Sequence, residues 1–227
     1  AAILDIGAVS TRPGAAGVSE EEELKRIVPA IQLIRKEYPN VILSVDTYRS
    51  SVVEKLFPMG IDMVNDISGG NFDHSMFDLV ASLSLPLIVM HIQGTPASMQ
   101  ENPQYENVVK QVAQSLAQKA ELLRSKGVND FIIDPGFGFG KSIDHNYKLL
   151  NHIGLFCKLF KVPVMAGFSR KSMIYKVTNK TPGQSLAPTA ALNLYALLQG
   201  ASVLRVHDVS AATDVINIFK KIKENDS

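Results

Sequence analysis

Seven short runs of aliphatic residues recur along this chain, and none of them alternates with polar residues. They span residues 2–4, 41–45, 62–64, 85–90, 131–133, 162–166 and 203–206. A strand with one wet face alternates apolar with polar; an unbroken Ile/Val/Leu run is a strand buried on both faces, as in a parallel sheet. Parallel strands need long crossovers, and the stretches between the runs carry helix signals. Ser19 followed by Glu20, Glu21, Glu22 and Glu23 sets a capping hydroxyl and acidic side chains at the positive end of a helix dipole. That helix is expected to reach about Tyr38 and stop at Pro39. Others are expected from about Glu106 to Lys126, closed by Gly127, from Pro188 to about Leu198, ended by Gly200, and from Val209 to about Lys223.

Strand–helix alternation without a break predicts an α/β fold. No linker, charge block or low-complexity stretch divides it, so residues 1–227 read as one domain. Seven strands fit a (β/α)8 TIM barrel with seven of its eight βα units present. An open doubly wound sheet is the alternative for the same elements. Residues 1–7 hold no Met and no basic leader, and Ile3 to Gly7 reads as a strand already under way. An upstream strand–helix unit is therefore expected, since an open barrel would leave two strand edges exposed.

Composition narrows the function. Apolar residues make up 46% and charged residues 20%, a globular balance. The net charge of +1 offers no bulk field for nucleic acid or an anionic membrane. The apolar runs are far shorter than the roughly 20 residues of a membrane span. The single Cys157 allows no internal disulfide and fits a reducing, cytoplasmic setting. Its neighbours Phe156 and Phe160 suggest a packing role.

Each apolar run hands over to polar residues: Asp5, Asp46-Thr47, Asn65-Asp66, His91, Asp134, Ser169-Arg170-Lys171, and Arg205 to Asp208. In a barrel these ends share the rim that carries the chemistry. Helix or loop capping is an ordinary account of Asp5 or Asp208, but not of all seven. Several familiar motifs fail. The run from Gly136 to Ser142 resembles a phosphate loop, yet Pro135 and Lys141 stand where its patterns need glycine. His91 and His207 lack local zinc-ligand spacing, and no nucleophile elbow occurs.

Asp46, Asn65 and Asp134 suit a flat nitrogen heterocycle. A guanidine-like edge presents N–H donors in a row, which buried carboxylates accept with charge-assisted strength, and Asn both donates and accepts. Lys171 could donate to a ring nitrogen or carbonyl. A structural ion-pair network is the other reading of this set. A basic set, Arg12, Arg205 and His207, could hold a phosphate or carboxylate; for Arg12 a loop-surface cation is the alternative.

These segments together resemble the dihydropteroate synthases of the pterin-binding family. The resemblance rests on residues 6–15, Ser-Val-Asp-Thr at 44–47, Asn-Asp-Ile-Ser-Gly-Gly at 65–70 and His-Ile-Gln-Gly-Thr-Pro at 91–96. It continues through Asp-Pro-Gly-Phe-Gly-Phe-Gly-Lys at 134–141, Gly-Phe-Ser-Arg-Lys-Ser at 167–172 and Arg-Val-His-Asp-Val at 205–209. It spans the whole chain and implies a pterin-binding barrel of folate synthesis, a sulfonamide target. Such a transferase joins 6-hydroxymethyl-7,8-dihydropterin pyrophosphate to 4-aminobenzoate, giving 7,8-dihydropteroate and pyrophosphate. By position, Asp46, Asn65, Asp134 and Lys171 would hold the pterin, with Ile67, Met90, Phe139 and Gly167 near its ring. Asp46, Asp134 and Lys171 would be catalytic. Thr11, Arg12, Arg205 and His207 would hold pyrophosphate, and Ser169 and Arg12 would lie near the aminobenzoate. Mg²⁺ is the implied cofactor and a homodimer the implied assembly. The family's first strand ends in an Asn expected to help bind Mg²⁺, and a mobile loop follows it; nothing here matches either. Ala8 and Val9 stand where many relatives carry Glu and Gly. Two other readings share Asp46, Asn65 and Asp134: a methyltetrahydrofolate-binding methyltransferase barrel, which has no need of the Arg205 and His207 pair, and a non-catalytic pterin-binding scaffold.

Overall fold

The computed structural model describes residues 1–10 and 17–225, so Thr11 and Arg12 lie outside the described residues. The chain divides into two compact units. One comprises residues 1–99 and 115–132, the other residues 100–114 and 133 onward.

The first unit is built on strands β1 (Ile3–Ile6), β2 (Ile42–Asp46), β3 (Met63–Asp66) and β4 (Leu87–Met90), continued by the start of β5 (Phe131–Asp134). β1 to β4 pair in parallel in chain order. β3 and β4 are buried at every residue, which is why their sequences do not alternate. Helices α1 (Glu20–Glu37), α2 (Ser50–Leu56) and α3 (Met76–Leu83) follow the first three strands, and α4 (Val108–Ser125) enters from the second unit.

The α1 boundaries follow the sequence signals. The Ser19 hydroxyl accepts from the Glu22 N–H at 3.2 Å, and Tyr38 caps the far end. Glu23, Ile27 and Ile31, one helical stripe, are buried. The buried Glu23 carboxylate is neutralised by Arg49. Pairing puts Asp46, the last residue of β2, directly beside Asn65 of β3. β1 runs on through Asp5 to Ile6, so Asp5 lies within the strand opposite Ser44 rather than past its end.

The second unit holds the end of β5, β6 (Met165–Ala166) and β7 (Val203–Leu204). Ile133 bridges to Val164, and β6 pairs with β7, both in parallel. Its helices are α5 (Ile143–Asn151), α6 (Ile153–Phe160), α7 (Ser172–Tyr175), α8 (Leu186–Leu198) and α9 (Val209–Glu224). Proline trims two of the predicted strands. The run at 85–90 becomes β4 from residue 87, and that at 162–166 becomes two residues. Pro86 and Pro163 have no N–H for a ladder, and contribute only carbonyls, to Val64 and Ile133. α8 begins two residues ahead of Pro188, whose missing N–H falls within the first turn and costs nothing. The Cys157 thiol is half-buried, lies within donating distance of the Ile153 and Gly200 carbonyls with one proton to share, and is pushed up in pKa by burial, as suits a packing residue.

Candidate active site

In the first unit the polar strand ends form one connected set. The Asn65 amide donates to the Asp5 carboxylate at 2.9 Å, which fixes which way the amide faces. Asp5 thus orients a neighbour across two strands, a role beyond the capping account. A Cβ at Gly7 would stand 2.9 Å from the Asp46 Cβ, so glycine there lets the chain pass close to that carboxylate.

The turn after β3 has its own support. Asp66 is fully buried and accepts from the Ser68 and Gly70 N–H groups at 2.8 and 2.7 Å. Burial pushes its pKa up, against those hydrogen bonds and the charge of Lys119. Lys119, from α4, donates to the Ser68 and Gly69 carbonyls at 3.0 and 2.6 Å, and burial pushes it down to about 8. Gly69 has φ +57°, and a Cβ there would sit 2.5 Å from both the Lys119 ammonium and the Met90 carbonyl. Ile67 and Met90 are buried beside this turn, as is His91.

In the second unit Asp134 ends β5 and is buried. Its carboxylate accepts the Gly136 N–H at 2.8 Å. Burial pushes its pKa up; Lys171, that hydrogen bond, Lys141 and Arg205 pull it back. Lys171 donates to the Phe137 carbonyl at 2.6 Å and lies 4.6 Å from the centre of the Phe139 ring, a cation–π distance. A Cβ on Gly167 would meet the Arg205 side chain at 3.7 Å and an Asp134 carboxylate oxygen at 3.9 Å, ordinary contact.

Ser169 is buried, and its hydroxyl accepts the His207 N–H at 3.3 Å and lies 3.1 Å from the ring nitrogen Nδ1. Arg205 and His207 are both exposed just past β7. Between Ser169 and Lys171, Arg170 has φ +56° and holds Asp208 through two hydrogen bonds, at 3.0 and 2.5 Å. Asp208 makes no side-chain cap on α9, so its role is this ion pair rather than the expected cap. The sequence gives no role to Lys119, and to Lys141 only a mismatch to a phosphate loop and the last place in the 134–141 segment of the resemblance. The one available signal for Lys141 was a cation closing a glycine-alternating turn.

No group of three or more His, Cys, Asp or Glu stands together to hold a metal among the described residues. The Mg²⁺ implied by the resemblance therefore has no all-protein cage there. No helix among the described residues is long and apolar enough to cross a membrane.

Buried carboxylates, an oriented amide and lysines stand at the ends of parallel strands, where α/β enzymes carry their chemistry. The family described as pterin binding enzyme matches residues 1–207. Dihydropteroate synthase of Haemophilus influenzae is 42% identical over 222 residues, covering 97% of this chain and 80% of that protein. Yersinia pestis dihydropteroate synthase, solved in a sulfonamide drug complex, is 36% identical with a TM-score of 0.94, covering 99% of this chain and 81% of that one. The Xanthomonas albilineans enzyme in complex with 7,8-dihydropteroate is 35% identical with a TM-score of 0.87, covering 98% and 79%. The chain belongs to the dihydropteroate synthases, pterin-binding enzymes of the (β/α)8-barrel fold class.

Proposed function

We propose that this chain condenses 6-hydroxymethyl-7,8-dihydropterin pyrophosphate with 4-aminobenzoate, giving 7,8-dihydropteroate and pyrophosphate in folate synthesis. The observation that carries the reading is Asp134, a buried carboxylate with Lys171, Lys141 and Arg205 acting on it. A row of pterin N–H donors would stabilise its ionised form, which burial otherwise disfavours. Lys171, held by the Phe137 carbonyl and the Phe139 ring, is placed to donate to a ring nitrogen or carbonyl. Gly167 keeps the ground beside Asp134 clear. In the first unit Asp46 and Asn65 take the pterin-binding role, with Ile67 and Met90 as apolar packing.

The reaction breaks the bond between the pterin methylene and pyrophosphate oxygen and forms one from that carbon to the aminobenzoate nitrogen. The amine then releases one proton to water or pyrophosphate. Positive charge grows on the methylene as pyrophosphate leaves, and preorganised carboxylates, Asp46 and Asp134, stabilise it. Arg205 and His207 hold the departing anion, and Ser169 lies by the aminobenzoate. The parts assigned to Thr11 and Arg12 fall outside the described residues. The neutral aromatic amine needs no strong general base. We take Mg²⁺ as a companion of the pyrophosphate, sulfonamides as competitors of 4-aminobenzoate, the cytoplasm as the location, and a homodimer as the assembly. Exposed Leu186, Leu198, Ile218 and Ile222 on α8 and α9 support the last of these.

Calorimetric titration tests the reading against the methyltransferase alternative. Binding of 6-hydroxymethylpterin and of inorganic pyrophosphate is expected. Tight binding of 5-methyltetrahydrofolate with none of pyrophosphate would overturn it.

A further inference from the structure

The turn after β5 holds its backbone in an unusual way. From Gly136 to Gly140, five consecutive carbonyls are each taken by a side chain. Lys141 donates to Gly136 and Phe139 at 2.8 and 2.9 Å, Lys171 to Phe137 at 2.6 Å, Gln100 to Gly138 at 2.5 Å, and Tyr105 to Gly140 at 2.9 Å. Asn146, itself buried, accepts the Gly138 N–H at 2.7 Å. Gly136, Gly138 and Gly140 have φ of +73°, +83° and +62°, so the alternation with Phe137 and Phe139 is a backbone requirement. The conformation turns every carbonyl toward a donor.

Lys141 is the key to this arrangement and the least expected member. It is 3% exposed, and burial pushes its pKa down to about 7. A buried ammonium costs stability, and an apolar side chain of similar length would pack more cheaply. Buried this deeply, it is out of a ligand's reach. Its two carbonyls flank the one that holds Lys171, and the second belongs to Phe139, whose ring faces the Lys171 ammonium.

We propose that Lys141 is a positioning residue: it fixes the 136–140 turn in the shape that holds the Lys171 ammonium in place for the pterin. The proposal rests on the pterin-binding reading of Lys171, and the experiment separates the two. Fluorescence titration with 6-hydroxymethylpterin is measured on the unaltered protein, Lys141→Met, Lys171→Met and the double variant. Loss of hydrogen bonds from a charged donor predicts pterin binding about tenfold weaker in Lys141→Met, with pyrophosphate binding retained. If Lys141 acts through Lys171, adding Lys141→Met to Lys171→Met weakens pterin binding by less than about twofold more, because the two losses share one route. Losses that multiply in the double variant, or a Lys141→Met protein that binds like the unaltered one, would overturn the proposal. No pterin binding by the unaltered protein would instead sink the reading beneath it. Gln100→Ala and Tyr105→Phe release one carbonyl each from less buried positions and serve if Lys141→Met does not fold. Each is then expected to weaken pterin binding about twofold, a neutral hydrogen bond's worth, and no change in either counts against the proposal.

Discussion

The turn after β3 and the turn after β5 solve one problem with different divisions of labour. Both follow a buried strand, both need positive φ at glycine, and both enlist a lysine to hold carbonyls, part-buried in the first and buried in the second. After β3 the tasks are split. Asp66 binds the turn's N–H groups, Lys119 binds its carbonyls, and Asn65, the residue before Asp66, is oriented separately by Asp5. After β5 one carboxylate does both jobs, because Asp134 accepts the Gly136 N–H and also stands among the charges of Lys171, Lys141 and Arg205. The first turn should therefore be separable into stability and recognition by mutation. The second should not.

The largest effect falls on the merged side. Asp134→Asn keeps the shape but removes the negative charge opposite the lysines and, in the proposed reaction, opposite the developing cation. A loss of about 10²–10³ in kcat/KM is expected, the scale for one preorganised electrostatic group. A lowered melting temperature is also expected, since Lys141 loses its nearby counter-charge. A fall in activity with no change in melting would mean that the two tasks are separable there too.

On the split side, Lys119→Met leaves the Asp66 carboxylate buried without its cation. A stability loss of about 1–3 kcal/mol is expected in urea, from the hydrogen bonds lost to the Ser68 and Gly69 carbonyls, with kcat/KM per folded molecule unchanged. pH sharpens this. Burial pushes Lys119 down to about 8 in the fold, against an ordinary lysine value of 10.5. Between those values the unfolded chain binds the extra proton, so rising pH favours the fold. The unaltered protein's stability lead over Lys119→Met should widen from about pH 7.5 to about pH 9.5. A narrowing lead would contradict the burial of Lys119.

Smaller effects follow from single backbone positions. Gly69→Ala adds a Cβ at φ +57° against the Met90 carbonyl, and a loss of about 1–3 kcal/mol by thermal melting is expected. Ser19→Ala removes only the α1 cap, with an expected cost of about 1 kcal/mol and no change in activity.

Much of this was legible in the sequence because it is local. Unbroken apolar runs located the strands, Ser19 and its acidic neighbours located α1, and polar residues at run ends located Asp46, Asn65, Asp134 and Lys171. What was not legible depends on partners far along the chain. Nothing near Lys119 in sequence points to carbonyls 50 and 51 residues away. Asp5 looked like a cap because its partner, Asn65, arrives only when β1, β2 and β3 assemble. Arg170 and Asp208 are 38 residues apart and gave no pairing signal. β6 is shorter than the apolar run at 162–166 for a local reason, the missing N–H of Pro163, that the run concealed.

The central claim is a chemistry, and pyrophosphate release tests it most directly. Incubation with 6-hydroxymethyl-7,8-dihydropterin pyrophosphate and 4-aminobenzoate should release pyrophosphate in step with 7,8-dihydropteroate. Omitting either substrate should abolish that coupled turnover, and a sulfonamide should compete with the aminobenzoate. Pterin binding without any pyrophosphate release when both substrates are present would contradict the account and leave a pterin-binding scaffold in its place.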